Sequence, residues 1–249
     1  MQSGARLSGP RNPHWLRSAL FQVHLWGGIG LSLYILVVCV SGSAIVFRRE
    51  LNKALCPSGC EPHFVTALAA FHDDLASGRT GRWLNGLGAV AVTLLAVSGA
   101  ILWWPGVGHL RRGMTVRRHL PWPRFVRDLH TALGFWSVLL VLLWTVTGIY
   151  FAFPGPFNSF AEALVDAGVP SLTIEDDIAQ IIRLHFGRAF GHGVEVLWVI
   201  LGLLPAILVV TGVIMWWNRV LAPAMKRASV PRSTVRPHLQ KLGELKADS

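Results

Sequence analysis

The sequence predicts an all-α integral membrane protein, a four-helix transmembrane bundle made of two tandem two-helix repeats with both termini cytoplasmic. Composition is the first reason. The 249 residues are 52% hydrophobic and only 14% charged, with a mean hydropathy of +0.47, whereas soluble domains carry about 25% charged residues. The second reason is the distribution of charge along the chain, and the third is a repeated spacing of histidine and glycine. These observations argue against a soluble enzyme.

Four segments contain no Lys, Arg, Asp or Glu, at residues 18–47, 83–110, 129–161 and 196–218. Each exceeds the roughly 20 apolar residues that cross a bilayer core about 30 Å thick. The helices are predicted at about 18–47, 83–104, 129–153 and 193–217. The first run is too long for the apolar region of a signal peptide and has no small-residue cleavage site after it. We therefore expect it to remain as the first helix.

Charge then sets the orientation and the division of the chain. Most of the 23 Lys and Arg lie in the terminal tails and the central connection, whereas most of the 13 Asp and Glu lie in the other two connections. Basic loops stay in the cytoplasm, which predicts a multi-pass protein of the bacterial cytoplasmic (inner) membrane. The net charge of +10 is interpreted as a topology signal that also suits anionic lipids, with no nucleic-acid partner.

The predicted units are a cytoplasmic tail (1–17), a first repeat (18–110) with periplasmic loop 48–82, a basic cytoplasmic loop (111–128), a second repeat (129–218) with periplasmic loop 154–192, and a basic cytoplasmic tail (219–249).

Histidines and hydroxyl–glycine pairs recur at fixed spacings in the two halves. In the first helix of each half a histidine precedes such a pair by 17 residues, and around the second helix the separation is 26. The members are His24 with Ser41-Gly42, His130 with Thr147-Gly148, His72 with Ser98-Gly99, and His185 with Thr211-Gly212. Further glycines, Gly28, Gly134, Gly78 and Gly191, follow the four histidines at four or six residues. The halves run in the same direction, so their symmetry axis should lie along the membrane normal.

Helix direction predicts two similar sites, one in each leaflet. The inner site would combine His24 and His130 with Ser98, Gly99, Thr211, Gly212, Gly28 and Gly134. The outer site would combine His72 and His185 with Ser41, Gly42, Thr147, Gly148, Gly78 and Gly191. Paired histidines in a helical bundle, with bare backbone for a flat ligand, favour bis-histidine haem iron. Zinc is less suitable, because no Cys or carboxylate completes four ligands at matching spacing.

The same residues also have simpler interpretations. A single intramembrane histidine is often a hydrogen-bonding group between helices, and glycine often serves close helix packing; four repeat-related occurrences favour a site. His192, two helical turns after His185, is an alternative outer ligand. Because His72 precedes the apolar core of the second helix by about ten residues, either that helix extends outward or the outer site lies at the surface. Candidate partners for haem carboxylates are Arg111, Arg112, Arg117 and Arg127 inside, and Arg48, Arg79, Arg82 and Arg188 outside.

The three cysteines have separate interpretations. Cys39 lies within the first helix and is interpreted as a small buried hydrophobe. Cys56 and Cys60 lie on the predicted outer side, where a disulfide persists; they either pin the loop or form a redox or metal site with His63. A c-type haem would need C-x-x-C-H, and this chain has three residues between the cysteines and Glu61 after them.

The order of these motifs over about residues 15–220 resembles the PepSY-associated transmembrane helix family, which includes membrane ferric-siderophore reductases and other haem-b proteins. The stretches that carry the resemblance are His24-Leu-Trp-Gly-Gly, Phe71-His72-Asp73-Asp74-Leu75, Trp103-Trp104-Pro105, Asp128-Leu-His130, Gly134-Phe-Trp, Leu184-His185-Phe186-Gly187 and Trp216-Trp217. The resemblance implies a four-helix core that holds b-type haem and moves electrons across the membrane. The outer connections are too short for a separate PepSY domain, which favours a minimal electron-transfer subunit.

Function is therefore expected to be di-haem electron transfer, from a quinol or cytoplasmic reductase to a periplasmic acceptor such as a ferric siderophore. An accessory subunit that anchors a larger electron-transfer complex is the alternative. A transporter is disfavoured, because the midplane lacks ionisable residues and broken helices. No nucleotide-binding fingerprint occurs, so a flavin or nicotinamide donor would belong to another chain.

Overall fold

A computed structural model describes residues 14–57, 59, 62–104, 110–188 and 191–229. These residues are mostly helical and include no strand. The helices are α1 (His14–Ile45), α2 (Arg48–Leu55), α3 (His63–Asp74), α4 (Gly78–Trp103), α5 (Leu110–Met114), α6 (Trp122–Ala152), α7 (Pro154–Asp166), α8 (Ser171–His185), α9 (His192–Gly202), α10 (Leu204–Trp216) and α11 (Ala222–Ala228), with a π-helical turn at Trp217–Leu221. Most of both predicted terminal tails lies outside the described residues.

Four helical spans are long and apolar enough to cross a membrane. They are Trp15–Ile45, Gly78–Trp103, Trp122–Ala152 and Gly193–Ala228. Large apolar side chains cover their outer faces: Leu33 is 72% exposed and Leu139 is 78% exposed. Helices that are apolar on all sides are typical of membrane spans. The predicted class, an all-α four-helix transmembrane bundle, is confirmed.

The four spans form a closed ring. Helix α1 packs against α4, α4 against α6, α6 against α10, and α10 against α1. The hydroxyl side chains of the four repeated pairs are buried in this ring, and each donates a hydrogen bond to a carbonyl of its own helix. Small residues at helix contacts allow membrane helices to approach closely. The repeated motifs therefore lie inside the bundle, not on its lipid-facing surface.

Helix α6 begins at Trp122, seven residues before the charge-free run. Pro121 and Pro123 favour this start, because proline is compatible with the first turn of a helix, where N–H groups have no intrahelical acceptor. Arg124 and Arg127 follow within the first two turns. A charge-free run marks only the part of a helix that lipid surrounds, so it places the helix start too late.

The predicted outer connections contain helices α2, α3, α7 and α8. Helix α3 packs against both α1 and α4, and α8 packs against α6. A tight turn separates α3 from α4: Leu75 and Ala76 have φ angles of 52° and 54°, and the Ala76 amide donates to the Ala70 carbonyl at 3.0 Å. The turn separates α3, which packs against α1 and α4, from α4, which forms a membrane span.

The fourth span is interrupted at Leu203. Helix α9 ends at Gly202 and α10 begins at Leu204, with Pro205 in its first turn. Proline lacks the N–H that would continue the helix ladder, and such positions bend membrane helices. Leu203 keeps a right-handed helical conformation (φ −86°, ψ −10°), and Gly193–Ala228 counts as one membrane span, so the helix is locally interrupted here but not unwound.

Candidate functional site

Four histidines enter the bundle as two pairs, which keep the names inner and outer from their predicted positions. In the inner pair, His24 Nδ1 lies 2.9 Å from the Ser98 hydroxyl and 3.2 Å from the Leu95 carbonyl. His130 Nδ1 lies 2.9 Å from the Thr211 hydroxyl. Each imidazole thus contacts the hydroxyl of the neighbouring helix, α4 for His24 and α10 for His130.

Glycine permits this close approach. A Cβ atom on Gly99 would lie 2.9 Å from Cε1 of His24, and one on Gly212 would lie 3.5 Å from Cε1 of His130. The first distance is too short for any real Cβ, so a larger residue at Gly99 would displace the ring. The hydroxyl of each pair therefore holds an inner imidazole by a hydrogen bond, and the glycine leaves room for its ring.

The outer pair lies on the two short helices α3 and α8. The His185 Nδ1 atom contacts the Thr147 hydroxyl. His72 differs from its repeat partner, because its Nδ1 atom bonds the Val38 carbonyl at 3.0 Å, while the Ser41 hydroxyl donates to the carbonyl of Val37 at 2.6 Å. The centroids of the two outer rings are 6.4 Å apart, with their planes inclined by 58°.

His72 reaches this position in a way that neither sequence-based alternative anticipated. The second membrane helix does not extend outward to carry it, and the residue is not at the surface. It lies on the separate helix α3, which packs against α1. A Cβ atom on Gly42 would lie only 2.6 Å from Cε1 of His72, so this contact depends on glycine in α1.

The hydrogen bonds assign the proton of each imidazole. The hydroxyl of Ser98 donates to the Leu95 carbonyl at 2.8 Å, and the hydroxyl of Thr211 donates to its own helix at 2.9 Å. A hydroxyl has one hydrogen and a carbonyl has none to give, so Nδ1 must be the donor in each contact. Thr147 donates to its helix in the same way. The lone pair is then on Nε2, the usual arrangement of metal-binding histidine.

Losing one of these hydroxyls should destabilise the fold. Thr211→Val keeps the side-chain shape but removes the hydroxyl acceptor of the buried His130 imidazole and leaves it only the Leu208 carbonyl, which costs about 0.5–1.5 kcal/mol. Thermal unfolding in detergent should show a lower Tm for this variant. Thr131→Val is the matched control, because the Thr131 hydroxyl bonds the Arg127 carbonyl at 2.7 Å and not an imidazole. Equal Tm values for the two variants would contradict the assigned role of Thr211.

Burial keeps the outer imidazoles neutral. It lowers the pKa of His72 below the ordinary histidine value. Burial, with a smaller effect from the charge of His72, lowers the pKa of His185 to about 3. Desolvation disfavours the charged form of a buried base. Both side chains are therefore in the form that binds a metal at neutral pH.

Each pair of histidines lines a cavity. The inner cavity has a volume of about 700 Å³ and is lined by both inner histidines and by Gly28, Gly99, Gly134 and Gly212. The outer cavity has a volume of about 170 Å³ and is lined by both outer histidines and by Gly42 and Gly148. Ligand pockets typically measure about 300–1,000 Å³, so the inner cavity is already large enough for a bulky planar group.

Gly78 and Gly191 have a different explanation from the other site glycines. Their φ angles are 58° and 85°, a left-handed conformation that favours glycine. Gly78 begins α4 and Gly191 precedes α9. Neither is among the residues that line the outer cavity, so backbone conformation accounts for glycine at both positions.

Arginines lie at both cavities, but only two of the seven predicted ones whose side chains the structure describes line them. Arg127 lines the inner cavity and Arg188 the outer one. Arg117 instead donates to the buried carboxylate of Asp128 at 2.9 Å. Of the other candidates, Arg48, Arg79, Arg82 and Arg111 line neither cavity, and the side chain of Arg112 lies outside the described part of the chain. The side chain of His192, the alternative outer ligand, lies outside it too.

Two arginines that line the inner cavity, Arg17 and Arg219, are not among the predicted site residues. Arg17 donates to the Leu102 carbonyl at 3.2 Å, and the Arg219 guanidinium lies 4.4 Å from the Phe21 ring centroid. Both were assigned to basic tails and interpreted only as topology signals. The helical segments extend beyond the predicted bounds, to His14 in α1 and through Leu221 after α10. This extension places both arginines on helix ends beside the cavity.

Two further residues hold the backbone of the outer histidines. The Asn85 amide donates to the His72 carbonyl at 2.8 Å, and the Trp198 indole donates to the His185 carbonyl at 3.2 Å. Each follows its histidine by 13 residues, so they occupy equivalent positions of the repeat. The equal spacing was visible in the sequence, but the different residue types concealed it.

The remaining metal and cysteine candidates are simpler. Among the described residues, no group of three or more His, Cys, Asp or Glu is placed to hold a metal ion. Cys56 is disulfide-bonded, which removes it as a thiolate ligand beside His63, and Cys39 is a free thiol. Cys60 lies outside the described residues. The two histidine pairs therefore remain as the candidate ligand sets among the described residues.

Comparison with known families agrees with the fold. The family model described as PepSY-associated TM region matches residues 57–177 and 170–219. The chain belongs to this family. The match begins beyond α1, so His24 and Ser41-Gly42 lie outside the matched residues, and it covers less than the expected 15–220. No curated protein and no solved structure matches the chain.

Proposed function

We propose that this membrane protein binds two b-type haems, one at each histidine pair, and carries electrons across the bacterial cytoplasmic membrane to a periplasmic acceptor. The observation that carries the proposal is the state of the four imidazoles. Each is fixed through Nδ1 by a hydroxyl or carbonyl of an adjacent helix, and two of them share each cavity. The hydrogen bond at Nδ1 leaves Nε2 of each ring as the nitrogen that can bind a metal.

The residues present fit haem in several respects. Two imidazoles on opposite sides of one metal have ring centroids roughly 6 Å apart, given metal–nitrogen bonds of about 2 Å, and the outer rings are 6.4 Å apart. At the inner cavity, a Cβ atom added at Gly28 would have nothing within 4 Å apart from its chain neighbours and its own helix backbone. A flat ring therefore has room there. The guanidinium groups of Arg17, Arg127 and Arg219 suit carboxylates.

The outer site fits less completely. Its cavity of about 170 Å³ is below the usual ligand range, so lining side chains must move aside for a planar group. Phe186 contacts the His185 ring at a centroid distance of 5.3 Å and lines the same cavity. Arg188 lies over the Phe186 ring at 5.3 Å. Rotation of Phe186 and Arg188 would open the outer cavity.

Haem iron with two imidazole ligands would supply a reversible one-electron couple at each site. The chain itself contributes oriented neutral imidazoles, an apolar setting and nearby positive charge. A quinol donor would release two electrons and two protons, and a cytoplasmic reductase would supply electrons from its own cofactor. Each electron would convert one ferric ion of a periplasmic chelate to ferrous ion. Donor and acceptor therefore balance without any covalent step on this chain.

The proposed direction follows from charge. The described basic residues Arg17, Arg117, Arg127 and Arg219 lie at one end of the bundle, beside the inner pair. Because basic residues remain in the cytoplasm, we assign both termini and the inner site to that side. The outer pair, on α3 and α8, would then lie at the periplasmic side, where the acceptor is expected.

Visible spectroscopy of the purified full chain tests the proposal. A dithionite-reduced minus air-oxidised spectrum should show low-spin b-type haem, and a pyridine haemochrome assay should count two haems per chain. Circular dichroism and size-exclusion chromatography of the same sample establish that it is folded. A folded, monodisperse protein expressed with adequate haem supply but containing none would overturn the proposal.

A further inference from the structure

The inner and outer cavities meet at a single layer of side chains. Four residues line both cavities, and each comes from a different membrane span: Ile35 from α1, Val92 from α4, Val141 from α6 and Pro205 from α10. We call these four residues the septum. No other residue is shared by the two linings, so within the described residues the septum is one side chain thick.

The septum follows the repeat of the chain. Ile35 is 11 residues after His24, and Val141 is 11 residues after His130. Val92 is six residues before Ser98, and Pro205 is six residues before Thr211, the two hydroxyl residues that contact the inner imidazoles. The layer therefore consists of two pairs of equivalent positions around the ring of helices. Such agreement is not expected if the contact between the cavities were accidental.

The chemistry of the septum excludes water. Its four side chains have no hydrogen-bonding group, and Pro205 also lacks a backbone N–H. Ile35 is 8% exposed and Val141 is 9% exposed, even though cavities lie above and below them. Narrow apolar constrictions in membrane proteins lose their water and stop ions, and apolar cavities remain dry.

Two hydroxyl groups close to the septum in sequence, those of Thr93 and Thr145, bond each other. Thr93 follows Val92 in α4, and its hydroxyl lies 2.9 Å from the hydroxyl of Thr145 in α6 and 2.9 Å from the Ala89 carbonyl. These groups therefore satisfy each other between α4 and α6. A proton moving from one cavity to the other would find no hydrogen-bonded group within the septum.

We propose that the septum is an electron-permeable but proton-tight barrier between the two sites, an inference that rests on the proposed electron-transfer function. An electron can cross one apolar layer between the two cavities without a chain of water or polar groups. A proton or ion needs a chain of water or polar groups, which the same layer denies. Transfer then moves one electron outward, while protons released by a donor stay on the donor side.

Proton permeability of reconstituted vesicles tests the septum. The full-length protein is placed in liposomes with a trapped pH-sensitive dye, with valinomycin and potassium to balance charge, and proton entry is followed after an external acid jump. Ile35→Ser combined with Val141→Ser should admit protons several-fold faster than the unaltered protein. Haem is counted in this variant and in the unaltered protein, so that the two rates of proton entry are compared at known haem occupancy.

The control variant changes the equivalent lipid-facing positions of the same helices. Leu33→Ser combined with Leu139→Ser makes the same chemical change two residues earlier in each helix, at side chains that are 72% and 78% exposed. Its proton entry should match that of the unaltered protein. Equal rates for the septum variant and this control would overturn the inference, as would rapid proton entry through the unaltered protein.

Two further provisions keep the test decisive. If the septum variant does not fold, Val92→Thr introduces a hydroxyl at nearly constant volume, and it should raise proton entry in the same direction; an unchanged rate for a folded Val92→Thr protein would also overturn the inference. Haem content is measured separately on the unaltered protein. Absence of haem contradicts the proposed function, whereas the proton comparison tests the layer of side chains itself.

Discussion

His185→Ala is expected to hold one haem per chain where the unaltered protein holds two, and His24→Ala should show the same loss at the inner site. Each variant removes the only imidazole that its helix presents to the cavity among the described residues. A bis-histidine site that loses one axial ligand becomes five-coordinate or empties. The pyridine haemochrome count and the reduced-minus-oxidised spectrum measure the result.

Other histidines of the chain supply the controls. His63→Ala changes an exposed histidine on α3, the helix that also carries His72, and it should retain both haems. His192→Ala tests the alternative ligand, which lies seven residues after His185. Loss of a haem from His192→Ala, together with two haems in His185→Ala, would show that the outer ligand has been assigned to the wrong residue.

The expected independence of the two losses follows from the architecture. The inner pair lies on α1 and α6, whereas the outer pair lies on α3 and α8. Among the residues that the structure describes, only the septum is common to the two cavities. A variant that empties one site should therefore leave the other site spectroscopically intact. Loss of both haems from each single variant would indicate one shared site and contradict the two-cavity arrangement.

Much of the fold was predictable from the sequence because lipid imposes a strong condition. Charge is expensive in a bilayer, so charge-free runs located all four spans. The cost of burying charge in lipid does not apply to residues outside the bilayer. The sequence therefore did not predict the early start of α6 at Trp122 or the helices of the outer connections. The break before Pro205 was missed because the span remains apolar throughout.

The site was partly predictable for a different reason. Repetition placed each inner histidine with its hydroxyl–glycine pair, and the structure brings His24 to Ser98 and His130 to Thr211. Repetition cannot describe how the halves differ. His72 bonds the Val38 carbonyl, while His185 contacts the Thr147 hydroxyl. Such a difference depends on the angle at which α3 and α8 approach the bundle, which is a tertiary property.

The same asymmetry distinguishes two glycines that the repeat treats as equivalent. A Cβ atom on Gly42 would lie 2.6 Å from Cε1 and 2.9 Å from Nδ1 of His72, whereas the nearest atom to a Cβ on Gly148 is the Ala89 methyl group at 3.7 Å. The first separation is below any real Cβ contact, and the second is an ordinary van der Waals distance. Sequence alone assigns both glycines the same role, and the structure does not.

Gly42→Ala is therefore expected to empty or distort the outer site, while Gly148→Ala should have a much smaller effect. The added methyl group forces the His72 ring away from the Val38 carbonyl, which removes the hydrogen bond that orients Nε2. Haem count and the outer-site spectrum measure the change. Gly30→Ala, also on α1 and with nothing within 4 Å of its Cβ, controls for the effect of alanine on this helix.

The comparison of the two glycine variants separates two explanations of the repeat. If the halves were functionally identical, Gly42→Ala and Gly148→Ala would affect the outer site equally. If the approach of α3 to α1 decides the geometry of His72, only Gly42→Ala would release a haem. Retention of both haems and an unchanged spectrum in a folded Gly42→Ala protein would contradict the placement of His72 against α1, and with it the ligand role assigned to that residue.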